Sequence, residues 1–207
     1  MMLERTVRIC LVLLSLLGGC GAVERGVFPE IGIGARSLGM GGAFVAIADS
    51  PDALFWNPAG TSQLPARELS SMHTDLFGMG VNYDWFGIVQ PIGNLNFGLG
   101  YSGLDASGAF GSFPYKEKSY LFNCSGIKFI AGQRISWGVN GKYNSLKGGS
   151  ETVNSSQRGF GLDLGLLWQR DSLNVGVVAR DLATKLSGTL VEDGVEKTAE
   201  TKVPPWP

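Results

Sequence analysis

Residues 159–180 read GFGLDLGLLWQRDSLNVGVVAR. In the first half Phe160, Leu162, Leu164, Leu166 and Trp168 share one parity, and Gly159, Gly161, Asp163, Gly165 and Gln169 the other. In the second half Leu173, Val175, Val177 and Ala179 alternate with Asn174, Gly176, Val178 and Arg180. A period of two puts successive side chains on opposite faces of a β-strand, so each strand has one apolar face and one largely polar or glycine face. Arg170-Asp171-Ser172 between them fits a tight turn. The unit is an antiparallel hairpin whose two faces meet different solvents.

The pattern recurs upstream. Residues 94–103 set Leu95, Phe97, Leu99 and Tyr101 against Asn94, Asn96, Gly98, Gly100 and Ser102. Residues 135–144 set Ile135, Trp137, Val139, Gly141 and Tyr143 against Ser136, Gly138, Asn140, Lys142 and Asn144. Residues 81–90 alternate Val81, Tyr83, Trp85 and Val89 with Asn82, Asp84 and Gln90, although Phe86 and Ile88 break the polar face. Residues 119–130 change phase near Gly126, which predicts a bulge there. Residues 68–76 carry the weakest pattern, and the total is seven strands.

The predicted connections alternate in length. Those at 91–94, 132–134 and 170–172 are tight, whereas 104–118 and 146–157 are long. A transmembrane β-barrel has short periplasmic turns and long outer loops. Trp85, Phe86, Tyr101, Trp137, Tyr143 and Trp168 lie near strand ends, where interfacial aromatic girdles sit. The predicted fold class is therefore all-β: an antiparallel transmembrane outer-membrane β-barrel, with outer-membrane lipid as its surroundings.

Composition agrees with this fold. Charged residues make up 17% of the 207 positions and glycines number 31, against typical values of ~25% charged and ~7% glycine. The glycines have no period of three, which excludes collagen, and their abundance suits crowded, strongly bent β-structure. A formal net charge of -1 offers no basic surface for nucleic acid. Residues 1–22 read as a secretory signal: Arg5 and Arg8 precede a short apolar run at 9–17, too short to span a bilayer. Cleavage after Cys20-Gly21-Ala22 is preferred over a lipobox at Leu17-Gly18-Gly19-Cys20, because a barrel needs no lipid anchor. Cys124 is then the only thiol of the folded part, and its neighbours Phe122 and Ile127 suggest a small residue filling a strand position.

Residues 34–64 read GARSLGMGGAFVAIADSPDALFWNPAGTSQL. Ser50 is placed to cap a short helix with Pro51 at its first position and Asp52 in its first turn. The helix should stop at Asn57, because a residue before proline disfavours the helical region. Gly39, Gly41 and Gly42 permit tight turns. Four linked pieces of this segment resemble the N-terminal motif of the PorV/PorQ family of FadL-like outer-membrane proteins. They are Gly34-Ala35-Arg36-Ser37, Gly39-Met40-Gly41-Gly42-Ala43, Ala48-Asp49 and Trp56-Asn57-Pro58-Ala59-Gly60. The resemblance implies a small helical hatch folded into the barrel lumen over 23–65, followed by barrel strands over 66–207. Gly34, Arg36, Ser37, Gly39, Met40, Gly41, Gly42, Asp49, Trp56, Asn57, Pro58 and Gly60 are its motif residues. It also implies transport of hydrophobic small molecules, or an accessory role with type IX secretion-system and cargo proteins.

No catalytic function is expected. GxxxxGK[ST] is absent, and the GxGxxG match at Gly98-Leu99-Gly100-Tyr101-Ser102-Gly103 lies inside the alternating stretch 94–103 rather than at a turn that opens a helix, so no nucleotide-binding loop is indicated. His73 is the only histidine and lies near Ser70 and Ser71, but no orienting acid or oxyanion hole is apparent. No metal-ligand spacing and no cofactor motif occur. The stretch 188–202 is polar, Pro204-Pro205 follows, and no eighth strand is expected before Pro207. Seven strands are odd in number, and an unclosed sheet in lipid leaves backbone groups unpaired. The sequence is therefore expected to be the N-terminal portion of a larger barrel. On this topology, cysteines placed at Ser112 and Ser150 should label on intact cells while one at Gln133 should not; labelling at Gln133 alone would invert it.

Overall fold

A computed structural model of the chain describes residues 31–76, 78–107, 114–130, 132–149, 153–192 and 195–202. Among these residues two short helices, α1 (Ala35–Gly39) and α2 (Ala53–Trp56), and a 3-10 helix (Pro58–Gln63) come first. Eight strands follow: β1 (Glu68–Leu76), β2 (Val81–Ile92), β3 (Leu95–Asp105), β4 (Tyr115–Ile130), β5 (Gln133–Gly149), β6 (Val153–Arg170), β7 (Leu173–Glu192) and β8 (Val195–Lys202). They form one antiparallel sheet in sequence order, with β1 and β8 at its edges. No helix among the described residues is long and apolar enough to cross a membrane.

The helical segment packs on one face of this sheet, and the face it covers is the polar one. Ser136 and Asn140 on β5 are fully buried, as is Ser125 on β4. The opposite face is apolar and open: Phe122 is 61% exposed, Phe160 73% and Leu166 53%. This inverts the arrangement of a water-soluble sheet, which hides its apolar face. Tyr101, Tyr120, Tyr143 and Phe160 are register partners across β3 to β6 and form a continuous ring row on the open face, with neighbouring centroids 5.3, 6.3 and 5.2 Å apart. Ile135 and Trp168 pair further down the same face. Phe160 and Trp168 are ~26 Å apart along β6 at the usual rise per residue.

Several expectations are corrected. Val195–Lys202 is an eighth strand, paired with the far end of β7 from Lys185↔Lys202 to Glu192↔Val195. Strands run through much of the predicted long connections, so β5 reaches Gly149 and β6 starts at Val153. The extensions of β5 and β6 carry no apolar alternation and are paired along their backbones from Leu146↔Gln157 to Gly149↔Asn154. The register of β4 is unbroken from Tyr115 to Ile130, so no bulge lies at Gly126. The irregularity sits instead between β6 and β7, where Leu162 pairs with Leu182 and Leu164 with Ala179. Trp85 is no girdle residue: it is 2% exposed and faces the helical segment, while its neighbour Phe86 is on the open face. The mixed pattern of β2 follows, because its covered face meets apolar α2 side chains. Finally, α2 starts at Ala53 with Asp52 as a cap residue that makes no side-chain cap bond, two residues later than a Ser50 cap would place it. Its predicted end at Asn57 holds, with an extended backbone there (φ -159°).

Glycines on the covered face let the segment approach. A Cβ on Gly138 would lie 2.2 Å from the Pro58 carbonyl, and one on Gly165 2.2 Å from Asn57 Oδ1. Gly98 and Gly176 stand likewise against Leu54 and the Val45 carbonyl. Gly141, on the open face, has nothing within 4 Å of such a Cβ. Gly138→Ala should therefore destabilise the fold by ~1–3 kcal/mol, read as a lower denaturant midpoint, whereas Gly141→Ala should leave the midpoint nearly unchanged.

Candidate functional site

The candidate site is the contact between residues 31–64 and the polar face of β3 to β7. Within the segment the motif residues make one folded unit. Arg36 forms a two-pronged ion pair with Asp49, at 2.6 and 3.3 Å, and lies over the Phe44 ring at 5.5 Å. Ser37 is buried and donates to the carbonyls of Ile33 and Gly34. Trp56 Nε1 donates to the Ile33 carbonyl at 2.9 Å, which ties the start of the segment to α2. Gly34 adopts φ +83°, and a Cβ there would strike Asp52. Gly41 and Gly42 also have positive φ, at 65° and 78°. Gly60 lies against Ala48, where a Cβ would be 2.1 Å from the carbonyl oxygen. Gly39 and Met40 stand apart from this packing: Gly39 has open space around it and Met40 is 40% exposed.

Asn57 is the hinge between segment and sheet. Its Oδ1 accepts from the Ala59 N–H at 3.1 Å. Its Nδ2 donates to the Val45 carbonyl at 2.9 Å and to the Leu166 carbonyl of β6 at 3.2 Å. The Pro58 carbonyl accepts from Thr61 Oγ1 at 2.8 Å and from Asn123 Nδ2 at 3.3 Å. On β3, Asn96 donates to the carbonyls of Thr61 and Leu64. On β5, Asn140 donates to the Leu54 carbonyl at 2.7 Å and accepts from Asn123 at 2.8 Å. The strand side chains thus take up backbone carbonyls that short, irregular helices leave open, which burial otherwise makes costly.

A charged cluster closes the network at β5 to β7. Lys142 bridges Asp163 at 2.8 Å and also pairs with Asp181. The irregular stretch of β7 makes this possible: Asp181 adopts φ +56° and its N–H donates to Asp163 Oδ1 at 2.9 Å. Arg180, next to it, also points at the segment. Its guanidinium donates to the Trp56 carbonyl at 2.8 Å and stacks 5.3 Å from the Phe55 ring. A bulge re-aims side chains in just this way. On β2, Trp85 Nε1 donates to Asp52 Oδ1, which also accepts from Ser70.

Asn96, Asn123, Asn140, Lys142, Asp163 and Arg180 are the anchors that sequence reasoning missed as a site. Their signal was present as polar residues at alternate strand positions, but nothing in the sequence says what they face. His73 lies on the exposed side of β1, 2.6 Å from Asp84, at the end of the sheet beyond the tyrosine row. Asp105 ends β3 beyond the same row, where Lys116 and Ser107 hold its carboxyl down at about 2. Cys124 is a free thiol between Phe97 and Val139 on the open face. No group of metal-binding side chains occurs among the described residues. No family model, curated protein or solved structure matches this chain.

The cluster makes a sharp stability prediction. Lys142→Met leaves two buried carboxylates facing each other without their cation, and loss of one partner from a buried pair costs ~3–5 kcal/mol. The denaturant midpoint should fall accordingly, and Lys142→Arg should recover most of the loss.

Proposed function

We propose that this chain forms the N-terminal part of an outer-membrane β-barrel, with residues 31–64 as a plug on the lumen side and a transport role of the FadL-like PorV/PorQ type. One observation carries the membrane reading: the sheet leaves its apolar face open and covers its polar face. Lipid is the solvent that makes such an arrangement favourable, since the open residues then lose no contact with water that they would prefer. The apolar band between the Tyr143 and Ile135 rows runs ~26 Å along the strand, and a barrel tilt of ~40° reduces that to ~20 Å of membrane depth, close to the ~25 Å of known barrels. The ring row at one border and Trp137 and Trp168 toward the other suit the two interfaces.

The plug reading rests on the network just described. Docked through so many buried polar contacts, the segment blocks the space that the sheet curves around, and a solute must pass beside it or displace it. Passage of hydrophobic small molecules is the role this supports best. The alternative, an accessory role with secretion-system and cargo proteins, rests on the N-terminal motif alone.

Two substitutions test the proposal. Phe122→Arg puts a cation in the middle of the open band. In lipid it should cost ~2–4 kcal/mol and reduce insertion into outer membranes; in a water-soluble sheet the same change at an exposed position should leave folding intact and raise solubility. Arg180→Ala removes one tie on the plug and should speed uptake of a hydrophobic fluorescent probe by cells carrying the protein. An inserted Arg180→Ala protein with unaltered uptake would count against the conduit and for the secretion role.

A further inference from the structure

On the open face, the rows just beyond the tyrosines are basic. Lys118 on β4 and Arg158 on β6 both align with Ser145 on β5, since Lys118 pairs with Ser145 and Ser145 with Arg158. Adjacent strands lie ~4.8 Å apart, so the two cations rise from backbone positions ~10 Å apart, with a hydroxyl between them. One row further out, Lys116 faces Lys147 directly. Like charges placed opposite each other across a strand pair are destabilising. Lys116 is neutralised by Asp105 at 2.7 Å. Lys118, Lys147 and Arg158 are exposed and have no acidic partner among the described residues.

An open groove of about 370 Å³ lies in this outer row, lined by Lys116, Lys147, Asn154, Ser156 and Thr189, so that Lys147 belongs to the groove while Lys118 and Arg158 stand one row nearer the tyrosines. Its walls therefore offer cations, hydroxyls and an amide, the donor set that binds phosphate oxygens. The other border of the apolar band is different: Lys128 and Arg170 are its exposed cations on β4 and β6, and Arg170 has Asp171 beside it at 3.7 Å.

We propose that Lys118, Lys147 and Arg158 around Ser145 form a binding site for the phosphate-bearing headgroup of a membrane lipid, at the leaflet bordering the tyrosine row. The inference rests on the membrane reading above and adds to it a chemical class of partner and a sidedness. The acyl chains of that lipid lie along Tyr120, Phe122 and Phe160, while its phosphate sits among Lys118, Lys147 and Arg158, which have no acidic partner among the described residues. A lipid is favoured over a soluble anion because the apolar band starts one row below the cations. Electrostatic attraction of this kind acts additively with each cation near the surface.

The test uses the complete barrel of which this chain is the proposed N-terminal part, inserted into phosphatidylcholine vesicles with and without lipid A, which carries phosphate on a glycolipid headgroup. Insertion is scored by protease protection, and bound lipid A by native mass spectrometry after gentle release. The wild type should retain lipid A. The Lys118→Gln/Lys147→Gln/Arg158→Gln variant should insert equally into plain vesicles and lose apparent affinity for lipid A by on the order of 100-fold. The control Lys128→Gln/Arg170→Gln should keep it. Equal retention by the triple variant and the wild type, or no retention by either while both insert, overturns the headgroup site and leaves the membrane reading standing. If the wild type inserts into neither vesicle, the membrane reading falls and this inference falls with it.

Discussion

The whole arrangement depends on how closely the backbone at Asn57, Pro58 and Ala59 can lie against the sheet. Gly138 and Gly165 are bare at the points of contact, and any side chain there would occupy the space of the Pro58 carbonyl or the Asn57 amide. Because the backbones touch, polar side chains of moderate length can reach across. Asn96, Asn123 and Asn140 do so, and each takes a carbonyl from the helical segment. A larger separation would leave those amides and carbonyls buried without partners, at a cost of ~1–3 kcal/mol each. Glycine content, asparagine content and the shape of the N-terminal segment are thus one feature seen from three sides.

The other face of the sheet follows from the same fact. With its polar residues engaged inward, the sheet turns Leu95, Phe97, Leu99, Phe122, Leu164 and Leu166 outward together. Its two edge strands, β1 and β8, have a partner on one side only. Backbone groups along such edges stay unpaired in lipid unless further strands or a neighbouring chain complete them.

Much of this was legible in the sequence where a residue's neighbours share its environment. The clean alternation of 159–180 gave β6 and the start of β7 with their correct faces, because an open apolar face and a covered polar face flank those strands along that stretch. The packed unit of Gly34, Arg36, Ser37, Asp49, Trp56, Asn57, Pro58 and Gly60 also coincides with the motif. Trp85 was misplaced because its strand packs Tyr83 and Trp85 against apolar α2 side chains while its open face also carries Phe86 and Ile88, so parity did not mark the covered face. Strand β8, read from VEKTAETK, has no apolar residue pattern at all; it exists by backbone pairing to β7. The irregularity at Arg180 and Asp181 had no local mark either. It is defined by the distant partners Trp56, Lys142 and Asp163, which a one-dimensional reading cannot bring together.

The Asn57 and Arg180 contacts also set an order of events. Asn57 reaches a carbonyl 109 positions later in the chain, and Trp56 is held by a residue 124 positions later. Contacts of such sequence separation close large loops and form slowly. The first part of the folded chain to be synthesised is therefore the last to be seated. Until β6 and β7 are paired, the Trp-Asn-Pro-Ala-Gly segment lacks its ties to the Leu166 carbonyl and to Arg180 and rests on the preceding strands alone.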